Sequence, residues 1–94
     1  ADNQKNNILS NIILTSDEKF FEFWIYLGKG LYDDAIDIGK QLGDNQYILY
    51  SYMKKKIYIE GDLNIKGEEK ETILKEIDEE IKNIDQKIRE EIPK

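Results

Sequence analysis

The residues of this chain that could do chemistry are mostly acids, and none of them has the company that chemistry needs. Asp33-Asp34 and Glu79-Glu80 are paired carboxylates, the type used for general acid/base work. There is no His, no Cys, and no Ser nucleophile beside a base. That removes Ser-His-Asp triads, thiol nucleophiles, the usual zinc sites, disulfides and histidine pH switching. The acid pairs read as first-turn residues of helices and as a solvated face. Gly28-x-Gly30 lacks the Gly-Lys-Ser/Thr spacing of a phosphate loop. Lys54-Lys55-Lys56 is the one basic run, and three consecutive residues point round three sides of a helix rather than making a lipid-binding face. No catalytic residue, metal site or cofactor is expected, and no small-molecule substrate.

Composition bounds the rest. The 94 residues allow one small domain. A hydrophobic share of 39% is enough for a core, while charged residues make up 36%. No apolar run approaches the ~18 residues of a spanning helix, and the start lacks a signal-peptide core. The net charge of −6 argues against nucleic acid as a partner.

The elements read as helices throughout, about five in all. Ile8, Leu9, Ile12 and Ile13 make one stripe over Asp2 to Leu14. Thr15 or Ser16, followed by Asp17 and Glu18, starts a second helix. It carries the densest aromatic stretch, and Phe20, Phe23, Trp24 and Leu27 are assigned to the core. Gly28-Lys29-Gly30 ends it. A third helix spans Tyr32 to Leu42, with Ala35 and Ile36 inward and Leu31, Ile38 and Leu42 inward or half inward. Gly43 stops it and Asp44 caps a fourth, from Asn45 to about Glu60. Its expected core positions are Ile48, Leu49, Tyr52, Met53 and Ile57. Tyr26, Tyr47, Tyr50 and Tyr58 are placed at an edge, with Tyr47 and Tyr50 as interface candidates.

The last segment has a different texture. Leu74, Ile77, Ile81, Ile84 and Ile88 follow a 3, 4, 3, 4 spacing, an a/d seam on a helix ~37 Å long. The expected organisation is a compact four-helix core over residues 1–66 and a long amphipathic, coiled-coil-like helix over 67–94, one domain overall. The seam either packs on its own domain or pairs with another chain, and its five residues are interface candidates. Glu80 facing Asp85 disfavours a symmetric parallel dimer and leaves antiparallel pairing, a basic partner or intrachain packing.

Two resemblances add to this reading. Gly30-Leu31-Tyr32-Asp33-Asp34-Ala35-Ile36 resembles the second-helix start of a tetratricopeptide repeat, where Gly turns the chain and Ala permits close helix approach. No second copy follows at a 34-residue period, so an adaptor that binds peptide segments is the alternative reading. A wider pattern covers most of the chain. Asn7-Ile8-Leu9-Ser10, Ser16-Asp17-Glu18-Lys19-Phe20, Phe23 to Gly30, Ala35-Ile36-Asp37-Ile38 and Leu63 to Lys70 occur in this order. Together they resemble the C-terminal domain of the EssB/YukC family, membrane components of type VII (ESX-like) secretion systems.

That resemblance implies a helical domain outside the cytoplasmic membrane, anchored by a membrane helix upstream of this fragment. It implies a scaffold role, other membrane subunits of the secretion system as partners, and a tendency to form homodimers. Tyr58-x-x-x-Asp62 matches the export signal of type VII substrates, but a composition rich in Tyr and acids makes such a match unsurprising. Trp24 is followed by Ile25-Tyr26 rather than x-Gly, so the chain does not read as a secreted WXG100 protein.

Overall fold

The computed structural model describes residues 15–92. The expected helix over Asp2 to Leu14 lies outside them. The described residues are all-helical, with four helices: α1 (Ser16–Gly28), α2 (Tyr32–Leu42), α3 (Asn45–Gly61) and α4 (Gly67–Glu91).

Local chemistry accounts for the ends. The Thr15 hydroxyl accepts from the Glu18 N–H at 3.2 Å, and Asp17 and Glu18 lie in the first turn of α1. At the other end Gly30 takes a φ of 77°, which L side chains avoid. This lets the Gly30 N–H donate to Leu27 O and the Leu31 N–H donate to Tyr26 O, the Schellman pattern that satisfies the last carbonyls. Gly43, at φ 66°, closes α2 in a related way. The next residue, Asp44, accepts from the N–H groups of Gln46 and Tyr47 and opens α3. A turn of two residues therefore reverses the chain.

Successive helices pack on each other in chain order: α1 on α2, α2 on α3, α3 on α4. Two polar contacts hold α4 antiparallel to α3 at both ends. Lys70 Nζ donates to the Glu60 carbonyl at 3.2 Å, and Asn45 Nδ2 donates to Glu91 Oε1 at 2.6 Å. The extents are 51 × 45 × 17 Å. The radius of gyration of 16.3 Å exceeds the roughly 12 Å of a compact chain of this length.

The core is in two parts. Phe23, Ala35 and Ile38 form one cluster between α1 and α2, joined by Leu27, Leu42 and Tyr47. Ile36, Ile48, Tyr52, Ile59, Ile77 and Ile84 form the other, between α2, α3 and α4. Gly39 lets α2 and α3 meet closely: a Cβ there would sit 3.0 Å from Ile48 Cγ1. Ala35, expected to permit close helix approach, is fully buried between α1 and α2.

Several expected core positions are corrected. Trp24 is 49% exposed, because α1 is the edge helix among the described residues and Trp24 sits toward its open side. Phe20 and Leu27 are half-buried. Met53 (49%) and Ile57 (64%) are exposed, and Ile59 is buried in their place. With α2 and α4 both on one side of α3, the opposite side of that helix has no neighbour among the described residues. Leu31 is exposed in the turn before α2.

Candidate protein-interaction surface

The aromatic residues of α1 meet the first two turns of α3. Phe23 is fully buried and its ring stacks on Tyr47, centroids 4.7 Å apart and planes at 27°. Phe20 and Trp24 meet the same Tyr47 edge-on, at 5.1 and 5.4 Å. Edge-to-face and offset pairs of this kind are the favoured aromatic geometries. Tyr47 is thus the half-buried hub of an aromatic cluster.

Tyr50 is different. It lies one helical turn on, is exposed, and touches Trp24 at 6.0 Å, with the Lys54 ammonium 5.5 Å from its ring centroid. Tyr50, Met53 and Ile57 follow at i, i+3, i+7 along α3, so they share one stripe. Trp24 extends the stripe onto α1. The result is an exposed apolar face of four large side chains, with Tyr50 the one member among the expected interface residues. The sequence did hold the missing signal: the apolar residues of α3 are spread around the helix rather than gathered on one face, and a chain this short cannot bury them all.

The α4 seam turns the other way. Ile77 is 3% exposed and Ile84 is buried, both against α3. Leu74, Ile81 and Ile88 pack half-buried on the same cluster. The seam thus packs within the chain, one of the two arrangements that its spacing allowed. Asp78, beside the seam, pairs with Lys56 of α3 at 2.8 Å, and Asp33 of α2 pairs with Lys55 at 2.7 Å. The basic run is therefore divided: Lys55 and Lys56 face neighbouring helices, and Lys54 faces Tyr50.

The electrostatics are those of packing. Burial, and then the charges of Glu80, Asp33 and Asp37, push the Tyr52 hydroxyl above its ordinary pKa. The Tyr26 hydroxyl is also raised, mainly because it donates to Glu22 Oε1 at 2.7 Å. The hydrogen bond to Asp78 holds the Lys56 ammonium above its usual value. Asp33-Asp34 and Glu79-Glu80 are exposed, and none of them sits with a nucleophile. Among the described residues no group of His, Cys, Asp and Glu could hold a metal ion, and no helix is long and apolar enough to cross a membrane.

The described residues thus make an all-helical domain with an exposed apolar face. The comparisons with known proteins make the assignment specific. The family model described as "WXG100 protein secretion system (Wss), protein YukC" matches residues 1–87, and the chain belongs to that family. It is 43% identical over 51 residues to the ESX secretion system protein YukC of Bacillus subtilis, covering 53% of this chain and 11% of that protein. It is 32% identical over 71 residues to the type VII secretion system protein EssB of Staphylococcus aureus, covering 73% and 16%. The chain thus spans less than a fifth of the length of either relative. The crystal structure of an EssB extracellular fragment from Geobacillus thermodenitrificans superposes with a TM-score of 0.73 at 32% identity. That match covers 96% of this chain and 60% of the other.

Proposed function

We propose that this chain is a non-catalytic scaffold domain of a type VII secretion system, acting outside the cytoplasmic membrane in a protein anchored there by a helix upstream. Its partners are other membrane subunits of the same machine, and self-association is part of the same proposal. The tetratricopeptide-like character of the α1–α2–α3 array belongs to it too, since helices packed in chain order present one side of each to a partner.

The observation that carries this reading is the Trp24–Tyr50–Met53–Ile57 face. Large apolar side chains grouped on an open surface mark protein interaction sites. Aromatic residues and Met are the types enriched there. The relatives' names support the secretion role, and the extracellular fragment supports the location.

The test is Met53→Asp combined with Ile57→Asp in the full-length protein. Both residues are exposed, so the domain keeps its fold. Secretion and co-purification of the other membrane subunits are expected to fall. Unchanged secretion with unchanged complexes would sink the interface. Deleting α4 is the poorer test, because it would strip the core of α3.

A further inference from the structure

A groove between the start of α2 and the last turns of α3 sets two tyrosine rings beside two carboxylates, and we propose that it receives an arginine side chain from another protein. Its walls are Leu31, Tyr32 and Tyr58, with Asp33, Asp34 and Lys55 around them. The rings of Tyr32 and Tyr58 lie 5.8 Å apart between centroids, inclined at 50°. Tyr58 is 55% exposed and Leu31 44%, so much of the wall is open to solvent. Tyr58 follows Ile57 in sequence, but one helical step of about 100° turns it away from the Trp24–Tyr50–Met53–Ile57 face and toward α2. The groove is a separate surface, and the inference does not rest on that face.

Charge selects the occupant. Lys55 Nζ donates to Asp33 Oδ1 at 2.7 Å, which sets one ammonium against one carboxylate. Asp34 is exposed, and the three ion pairs among the described residues leave it out. The groove therefore keeps one uncompensated negative charge beside two aromatic faces. A tyrosine face attracts a cation, as the Lys54 ammonium 5.5 Å from the Tyr50 ring centroid does on the same helix. Arginine answers both features. Its guanidinium is planar, stacks on a ring and presents a fork of N–H donors to a carboxylate, while its stem covers apolar wall.

First-turn acids also favour the start of a helix, which accounts for Asp33 and Asp34 as residue types. It does not account for the open tyrosine pair beside them. A second copy of the chain is the poorer occupant. The chain has one arginine, Arg89, and it pairs with Asp85 at 3.0 Å on its own helix.

The test is an NMR titration of the 94-residue chain with N-acetylarginine methylamide, and with the corresponding citrulline compound, which has nearly the same shape and no charge. The arginine compound is expected to give saturable shifts at the ring signals of Tyr32 and Tyr58 and at the Asp34 amide, weakening as salt is added. The citrulline compound is expected to give none. Asp34→Asn and Tyr58→Leu alter exposed side chains. Each is expected to weaken the arginine affinity roughly 2- to 5-fold with the circular dichroism spectrum unchanged. Equal shifts from both compounds overturn the proposal, as do shifts spread alike over the acids of α4 or no saturable shift at all. If a variant loses its fold, the contrast between the two compounds on the unsubstituted chain decides.

Discussion

The ring of Phe23 on α1 stacks on that of Tyr47 on α3, 4.7 Å between centroids, so the first and third helices share one aromatic centre. Phe23 is fully buried, and its loss leaves a cavity bounded by Ala35 and Ile38. Phe23→Ala is expected to cost about 3–5 kcal/mol. Tyr47→Phe keeps the ring and is expected to cost under about 1.5 kcal/mol. Urea denaturation followed by circular dichroism checks both, and equal losses would show that the Tyr47 hydroxyl matters as much as the stack.

Gly39 and Ile48 set the distance between α2 and α3. An added Cβ would lie 3.0 Å from Ile48 Cγ1 and 3.5 Å from its backbone N. Ala favours a helix over Gly by about 1 kcal/mol, while overpacking costs about 1–3 kcal/mol. Ile48 is buried and has little room to give, so Gly39→Ala is expected to be net destabilising. Gly39→Val is expected to be worse. A thermal melt that rises for Gly39→Ala would mean that the two helices can separate freely.

The α4 seam is expected to matter through α3. Ile77→Ala should cost about 2–5 kcal/mol, and Leu74→Ala, half-buried at the same cluster, should cost less. Hydrogen exchange should rise along α4 before it rises in α1, because α4 contacts α3 and not α1. Equal protection of all four helices in the Ile77→Ala protein would show that α4 does not open on its own.

Alkaline pH should weaken the fold with a definite onset. Tyr52 is raised above 10.0 by burial and then by Glu80, Asp33 and Asp37. Lys56 is raised above 10.5 by its hydrogen bond to Asp78. In both cases the folded state holds its proton more tightly than the unfolded state. The stabilisation is therefore complete below pH 10.0 and is lost as pH rises through the folded-state values. Urea midpoints should be flat from pH 7 to 9.5 and fall above that range. Tyr52→Phe should reduce the slope of the fall, and an unchanged slope would mean that Tyr52 titrates in the folded protein as it does in the unfolded chain.

The helices and their ends were legible in the chain because capping acts within a few residues. Thr15, Gly30, Gly43 and Asp44 each work on neighbours two to five positions away, and each sits where the structure uses it. The 3, 4, 3, 4 spacing of Leu74 to Ile88 likewise defined one apolar face of α4, since side chains at those intervals share a side whatever lies opposite. The motif order from Asn7 to Lys70 was enough to name the family.

The tertiary structure decided what each face meets. Spacing shows that a helix has an apolar side but not which neighbour covers it. Only the antiparallel docking of α4 on α3 showed that the seam packs within the chain. The burial of Phe23, beside the exposure of Trp24, follows from the place of α1 at the end of the helix array. Met53 and Ile57 share their helix with Ile48 and Ile59 and match them in hydrophobicity. Their exposure follows from α2 and α4 lying on the same side of α3, a long-range arrangement that no local pattern encodes.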